Sequence, residues 1–404
     1  MSESKPNLSD RMKRILGRMV DASARERILL SFASFILALV VGAILLLVSG
    51  AFATCESPFL TMGGTQFCYN PIGVYNVMLN GAIGSPYSIA LTLRETTLLI
   101  LAGVAVAVTF QAGIFNIGTQ GQFIFGGLAG AATIQYTASL LPANAVGGLV
   151  LFALGLLSAG IAGALYGALP GVLLAYYDAN EVITTIMLNF IAGAVAFTTV
   201  RSFLREGATI QTASIPDYAI PPAIFFPRAA SFSILILVPA LLIAVGAHSM
   251  LRNSTLGYNI RLSGEQPAAA EYSGVDAKRV IVRTFTLSGL IGGLTGGVFV
   301  SMVLGYWQPS VPQVGFDGIT VSVLAANNPL GVIPAAALFG VIKSGAIALD
   351  LQLGVPRQLA GVLRGIIILF VAMPEFIRMI GHNLGLGESS ATPATRTGTK
   401  ENDD

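Results

Sequence analysis

The stretch "TTLLILAGVAVAVTFQAGIFNIGTQGQFIFGGLAGAATIQY", residues 96–136, decides the fold of this chain. Its two ends, 96–110 and 124–136, are apolar, whereas the middle, 111–123, holds glycines and amides but no charged residue. A solvated surface loop would carry charged side chains, and an uninterrupted membrane helix would carry few amides. The pattern therefore predicts two membrane helices separated by a break, which is tolerated only where protein or a water-filled cavity satisfies the backbone polar groups.

The composition of the whole chain indicates a membrane protein. Of 404 residues, 54% are hydrophobic and only 10% are charged, whereas soluble domains carry about 25% charged residues. Residues 28–50 contain no charge and exceed the roughly 20 residues needed to cross a bilayer. Because this run lies behind a long polar segment, we interpret it as a retained transmembrane helix rather than a cleaved signal peptide. The predicted fold class is all-α and polytopic.

Hydropathy and loop charge together predict about ten transmembrane helices. They divide the chain into a cytoplasmic N-terminal segment (1–27), a transmembrane domain (28–373) with a cytoplasmic loop at 253–280, and a polar cytoplasmic tail (374–404) that we expect to be disordered. One predicted span is too short to cross alone and is interpreted as a half-helix or re-entrant piece. The predicted spans are 28–50, 87–110, 120–138, 147–176, 182–204, 233–252, 280–304, 316–326 (the short one), 331–349 and 357–373.

The distribution of Lys and Arg predicts the orientation of the chain in the membrane. Basic residues are concentrated before residue 28 and in the loop 252–283, whereas the segments 51–93 and 304–317 contain none. By the positive-inside rule, the N-terminus and the 252–283 loop are cytoplasmic and the two segments without basic residues face outward. An even number of spans then places both termini in the cytoplasm, as expected for a multi-pass protein of the cell membrane.

The chain has two cysteines, Cys55 and Cys68, and both fall in the first outward segment. An exterior compartment is oxidising, so the pair is a candidate for a structural disulfide that closes this short loop. Two unpaired thiols are the alternative.

Several classes of function lack the residues they require. The chain has no GxxxxGK[ST] motif for phosphate and no HExxH motif for zinc, so we predict neither a catalytic residue nor a metal site. Pumps and proton-coupled carriers use acidic residues or histidine at membrane depth, and these are scarce here. The charged pair Arg94 and Glu95 is interpreted as a topology anchor near the outer end of the second span. The sequence therefore gives little support to a stand-alone secondary transporter or channel, which stays the alternative. Energy for uphill transport should come from another chain.

The longest internal cytoplasmic loop contains the sequence "SGEQPAAAEYSG", residues 263–274. Gly264 and Pro267 punctuate its start. Proline is favoured in the first turn of a helix, an acidic residue suits the positive helix end, and glycine is typical just after the last turn. The pattern predicts a short helix at 266–273, ended by Gly274. Such a helix between two spans is a lever that a partner protein can displace.

This loop resembles the coupling helix of ABC importer permeases, in the family that serves branched-chain amino acids, ribose-type sugars and nucleosides. Three further stretches agree in the same order: "FQAGIFNIGTQGQ" (110–122), "NEVITTIMLNFIA" (180–192) and "GFDGITVSVLAANNPLGV" (315–332). The resemblance spans about residues 90–370 and is to the nucleoside and simple-sugar branch. It implies an ABC importer permease fold in which some helices are discontinuous.

The resemblance also implies the partners of the chain. They would be a second homologous permease chain that forms a heterodimer, a double-cassette ATPase that binds ATP and Mg²⁺, and an extracellular substrate-binding lipoprotein. The chain itself would sit in membrane lipid, be no enzyme, and bind neither a cofactor nor nucleic acid. The family often has Arg or Lys after the proline, where this chain has Ala268. The residues carried over as the ATPase docking site are Gly264, Glu265, Pro267, Ala269, Tyr272 and Gly274.

A path for nucleosides or sugars needs uncharged hydrogen-bond donors and acceptors, and bases also need aromatic faces. The alternative for any single amide is a hydrogen bond between helices, and Asp317 is interpreted first as a helix cap. The expected solute is a nucleoside, with a simple sugar of the ribose or glucose type as the alternative. The predicted path residues are Phe115, Asn116, Gln120, Gln122, Asn189, Phe316 and Asp317.

Overall fold

The computed structural model describes residues 24–55, 58–352 and short pieces between 359 and 370. The predicted tail at 374–404, almost all of the predicted segment 1–27 and about half of the predicted span 357–373 lie outside these residues. The chain forms two compact units, one from 1–71 with 365–404 and the other from 72–364.

The first unit contains a long helix and a small hairpin. Helix α1 (Ala24–Ala51) covers the first predicted span. Strands β1 (Leu60–Met62) and β2 (Thr65–Phe67) pair antiparallel across a turn of two glycines. Cys55 and Cys68 are joined by a disulfide, with their Cα atoms 5.8 Å apart. The bond ties the end of the hairpin to the segment that follows α1.

The second unit is all-helical in its regular structure, and its helices follow the predicted spans closely. Of the described residues, six helices are long and apolar enough to cross a membrane. Two of them, α6 and α10, end in π-helical turns, Val200–Leu204 and Phe299–Leu304. The helices are α2 (Pro71–Ile83), α3 (Pro86–Phe110), α4 (Thr119–Thr137), α5 (Ala145–Tyr177), α6 (Glu181–Thr199), α7 (Ile234–Asn253), α8 (Thr255–Glu265), α9 (Pro267–Tyr272), α10 (Ala277–Val298), α11 (Val314–Leu324) and α12 (Pro329–Gln352).

Capping side chains fix where five of these helices begin, among them α5, α6 and α10. The side chain of Asn144 accepts a hydrogen bond from the backbone N–H of Gly147 at the start of α5. Asn180 and Asp276 do the same for α6 and α10. Each cap satisfies a backbone donor that the first helical turn leaves unpaired.

Glycines allow α5 and α10 to pack with their backbones in contact. A Cβ atom placed on Gly163 would lie 2.5 Å from the Cα of Gly293, and one placed on Gly167 would lie 2.6 Å from the carbonyl oxygen of Phe285. In lipid such close approach stabilises helix pairs through dispersion contacts. Each helix carries three glycines spaced four residues apart, and these glycines serve helix packing within the chain. They are Gly163, Gly167 and Gly171 in α5 and Gly289, Gly293 and Gly297 in α10.

The short span predicted at 316–326 is the half-helix α11. Its 11 residues extend over about 16 Å, roughly half the hydrocarbon thickness of a bilayer. It ends in a turn in which Ala326 and Asn327 have positive φ angles of 50° and 57°. Helix α12 begins two residues later.

The long loop 205–231, between α6 and α7, is held by backbone hydrogen bonds. The backbone N–H of Thr212 donates to the carbonyl oxygen of Trp307 (3.0 Å), and that of Ile215 donates to the carbonyl oxygen of Gly305 (2.6 Å). Trp307, the single tryptophan of the chain, is buried beneath this contact. The loop is therefore packed onto the segment between α10 and α11.

Candidate functional site

The predicted break lies between α3 and α4. Helix α3 ends at Phe110 and is followed by a turn at 111–113, in which Gly113 has a φ of +68°. Residues 114–117 have no regular secondary structure, and α4 begins at Thr119. We refer to residues 111–118 as the first break. Gln120 and Gln122, which the sequence placed within the break, belong instead to the first turn of α4.

Two of the predicted path amides are buried and bonded within the chain. Asn116 donates from Nδ2 to Ser288 Oγ (3.0 Å) and accepts at Oδ1 from the backbone N–H of Gly118 (2.8 Å). Asn189 donates to the carbonyl oxygen of Ile117 (3.0 Å) and accepts at Oδ1 from a backbone N–H at the start of α4 (2.7 Å). Both amides therefore shape the first break and tie it to α10 and α6. Their contact with a solute stays a prediction.

Gln120, in the first turn of α4 just after the first break, is bonded to the beginning of α11. Its Nε2 donates to the carbonyl oxygen of Pro312 (3.0 Å), and its Oε1 accepts from the backbone N–H of Gly315 (2.9 Å). Gln111 makes the matching connection at the other end of α11, because its Nε2 donates to the carbonyl oxygen of Asn327 (2.9 Å). The first break and the first turn of α4 together hold α11 at both ends.

Gln122 and Thr119 differ from the other polar residues of this region. Both side chains are buried, and neither the Gln122 amide nor Thr119 Oγ1 has a hydrogen-bond partner among the described residues. A Cβ on Gly292 would lie 2.8 Å from Gln122 Oε1, and one on Gly167 would lie 3.1 Å from its Nε2. An unpaired buried amide is costly, so these atoms are the natural acceptors and donors for a water molecule or a solute hydroxyl.

The aromatic residues near the break have different surroundings. Phe115 is 42% exposed and stacks on Phe110, with the ring centroids 4.9 Å apart. Phe123 is buried against Phe299, and Phe190 lies exposed on the outside of α6. Of these residues, Phe115, which the sequence predicted in the path, presents an accessible ring directly at the break.

A network of four charged side chains lies beside α11. Glu95 accepts from Arg94 (3.1 Å) and from Lys343 Nζ (3.1 Å), and Lys343 Nζ also contacts Asp317 Oδ2 (2.9 Å). Arg94 donates further to the carbonyl oxygen of Ala230 (3.4 Å). Two cations and two anions balance, so the network adds no net charge to the interior of the bundle.

This network corrects two interpretations made from sequence. Asp317 is not the N-cap of α11: the cap position is Gln313, and Asp317 lies in the first turn, paired with Lys343. Arg94 and Glu95 do pair locally, but they lie about 12 Å along α3 from its start, and Glu95 is buried. The error arose because Lys343 is distant in sequence. An isolated lysine within an apolar span was the available signal, since such residues are almost always paired.

The short helix predicted at 266–273 is present as α9. Proline occupies its first position, and Gly274 follows it with a φ of +80°, as predicted. Gly264 was expected to lie in a turn, but it belongs to the last turn of α8 instead. Tyr272 is almost fully exposed, at 98%, and Glu265 is exposed as well. These two side chains, on either side of the α8–α9 corner, are available to a partner.

The corner between α8 and α9 touches the first break. A Cβ placed on Gly264 would lie 2.6 Å from the carbonyl carbon of Ala112 and 2.7 Å from the carbonyl oxygen of Gln111. From the other side, a Cβ on Gly113 would lie 3.2 Å from the carbonyl oxygen of Gly264. Sequence reasoning identified both segments but not this contact, because they are about 150 residues apart.

Comparison with known proteins agrees with this architecture. The family model described as "branched-chain amino acid transport system / permease component" matches residues 88–372. The chain belongs to this permease family. The permease is 32% identical to a guanosine ABC transporter permease protein of Bacillus subtilis, over 88% of this chain and 96% of that protein. The resemblance inferred from the four sequence stretches is confirmed.

Two further relatives are also named as ABC transporter permeases. A nucleoside ABC transporter permease protein of Lactococcus lactis is 33% identical, over 78% of this permease and 87% of the relative. A glucose ABC transporter permease protein of Haloferax volcanii is 30% identical, over 84% and 91%. The all-α, multi-pass permease fold predicted from the sequence is confirmed by the family and by the six apolar helices.

Proposed function

We propose that this permease is the membrane subunit of an ATP-driven importer that carries a neutral nucleoside into the cytoplasm. The observation that carries the proposal is the contact between the exposed α8–α9 corner and an uncharged polar break in the helix bundle. A subunit that receives energy from a partner needs a docking surface coupled to the solute path. The relatives named for guanosine and nucleosides support the choice of solute.

The proposed path runs past the first break, α4, α6 and α11. Its lining residues are Phe115, Asn116, Gln120, Gln122, Asn189, Phe316 and Asp317. The unpaired amide of Gln122 and the accessible ring of Phe115 fit a hydroxylated solute with an aromatic base. The carboxylate of Asp317 is balanced by Lys343. A path without net charge favours a neutral solute over an ionised amino acid.

The proposed partners follow from the family. A second permease chain is supported by two relatives from Bacillus subtilis, both named for guanosine, at 32% and 27% identity, and by a similar nucleoside pair from Lactococcus lactis. The remaining proposed partners are a double-cassette ATPase that binds ATP and Mg²⁺, and an external binding lipoprotein. The ATPase would dock on the α8–α9 corner and Gly274. The importer would lie in the cell membrane, with both termini of this chain in the cytoplasm.

The proposal is tested by uptake into proteoliposomes that contain the complete importer. Radiolabelled guanosine, adenosine, ribose, glucose and leucine are supplied outside with the binding protein, and ATP is enclosed inside. We expect ATP-dependent uptake of the nucleosides and none of leucine. Uptake of guanosine without ATP would favour a secondary transporter, and uptake of glucose alone would favour the sugar importer suggested by the Haloferax relative.

A further inference from the structure

Two glycines form the contact between the α8–α9 corner and the first break. Gly264 lies so close to the turn at 111–113 that its Cβ would be within 2.8 Å of three backbone atoms, including the amide nitrogen of Gly113. Gly113 itself adopts a φ of +68°, which residues other than glycine rarely adopt. Since no side chain stands between the two backbones, a displacement of one segment is passed directly to the other.

An apolar cluster surrounds this contact and strengthens it. Ile260 of α8 is fully buried and packs in one cluster with Ala112 and Ile114 of the first break, and with Phe285 of α10. Close-packed interiors transmit displacement because they contain few voids. The end of α8 and the first break therefore move together more readily than either moves alone.

The turn at 111–113 is in turn bonded to the end of α11. Gln111 Nε2 donates to the carbonyl oxygen of Asn327 (2.9 Å). Asn327 is fixed to α11 twice, because its backbone N–H donates to the carbonyl oxygen of Ser322 (2.8 Å) and its Oδ1 accepts from Ser322 Oγ (3.1 Å). A movement of Gln111 therefore reaches α11, which carries Asp317 and faces Gln120.

We propose that Gly264, Gly113 and Gln111 form a transmission joint, through which displacement of α9 by the ATPase subunit reaches the half-helix α11. The inference rests on the proposed function, since it assumes that an ATPase docks on the α8–α9 corner. In the joint, Gly264 and Gly113 provide the backbone contact and Gln111 is the positioning residue that holds Asn327. The ion pair between Asp317 and Lys343 then holds the flank of α11 against α12.

The test uses Gln111→Met in the complete importer. Methionine has a similar volume but cannot donate a hydrogen bond, so Asn327 loses its contact with the joint. We expect guanosine transported per ATP hydrolysed to fall about tenfold, as for a coupling of ordinary strength. ATP hydrolysis by the assembled complex should continue, which a purely structural defect would not allow. A transport ratio within twofold of the wild type would overturn the proposal.

A second pair of variants tests the backbone contact. Gly264→Ala places a methyl group against the 111–113 backbone and should lower uptake by a similar factor. The matched control is Gly246→Ala, since Gly246 lies in α7 with no atom within 4 Å of the added carbon, and its uptake should be unchanged. Equal uptake for Gly264→Ala and Gly246→Ala would contradict the joint. Gln111→Met tests the proposal independently if Gly264→Ala fails to assemble.

The double variant separates one joint from two unrelated defects. If Gly264 and Gln111 act in series, the double variant should show no lower uptake than the more impaired of the two single variants. The reason is that effects within one coupled unit are not additive. Multiplied losses would show separate roles and overturn the proposal. The wild-type importer provides the reference: if it transports no nucleoside or sugar, the proposed function fails, whereas normal transport by all variants removes only the joint.

Discussion

Gln122 and Asn116 are both buried amides near the start of α4, yet the chain satisfies only one of them. Asn116 has a partner for each of its amide atoms, and Gln122 has none among the described residues. The sequence predicted that this uncharged region would be a break. The sequence could not distinguish the two amides, because the partners of Asn116 lie on α10 and within the break itself.

This difference leads to the first prediction. Gln122→Met removes no hydrogen bond within the chain, so the melting temperature of the purified complex should change little while uptake of guanosine falls severalfold. Asn116→Leu leaves Ser288 and Gly118 without their partner and should cost about 2–4 kcal/mol of stability. Thermal unfolding and uptake are measured on both variants. Normal uptake by Gln122→Met would remove this residue from the solute path.

Lys343 is the residue whose importance the sequence least revealed. It lies 248 positions after Glu95 and 26 after Asp317, so no local pattern connects them. The neutral sum of the network explains how four charges are tolerated in an apolar bundle: a buried ion pair is acceptable when both partners are present, and costly when one is removed.

The second prediction concerns this network. Lys343→Met leaves the buried carboxylate of Glu95 with Arg94 alone and should destabilise the permease by about 3–5 kcal/mol. Adding Asp317→Asn to Lys343→Met should recover part of that loss, because it removes the second uncompensated charge. Arg279→Gln is the control, since its pair with Asp276 is exposed and should contribute less than about 1 kcal/mol. Equal unfolding temperatures for Lys343→Met and Arg279→Gln would show that the network contributes no stability.

Among the helices, α5 and α10 illustrate what could be predicted at the level of elements. Three glycines spaced four residues apart in each helix form a face suited to close packing, and the structure brings the two faces together. The spans were also located well, since long apolar runs are a strong signal. The half-helix α11 was anticipated from its length alone. Its attachment at one end to the first break and at the other to Gln120 of α4 was not, because hydrogen bonds between segments distant in the sequence leave no periodic pattern.

Close packing of α5 on α10 gives the third prediction. Gly167→Leu would force a side chain into the carbonyl oxygen of Phe285 and the Cα of Gly289, so we expect the permease to be lost from the membrane or to unfold at a much lower temperature. Gly193→Leu is the matched control, because Gly193 in α6 has nothing within 4 Å of an added Cβ. The amounts of folded protein are compared by fluorescence-detected size-exclusion chromatography. Similar profiles for the two variants would show that this packing is dispensable.

At the scale of the whole molecule, the α8–α9 corner and the solute path are parts of one connected structure. The corner exposes the side chain of Tyr272, and its Gly264 contacts the first break. Gln111 of the break and Gln120 of α4 in turn hold the two ends of α11. An importer driven from the cytoplasm requires such continuity, because a ligand or partner shifts a conformational equilibrium only through contacts that differ between the two states.

The last prediction tests where the energy enters. Tyr272 is an exposed aromatic side chain at the end of α9, and such residues dominate binding when a partner buries them. Tyr272→Ala should therefore lower the recovery of the ATPase with the tagged permease by about tenfold and reduce uptake with it, without affecting membrane insertion. Tyr136→Ala is the control, because Tyr136 is similarly exposed but lies near the end of α4 farthest from the first break. If both variants retain the ATPase equally, the partner docks elsewhere. The contact between Gly264 and the first break would then be a packing contact without a role in coupling.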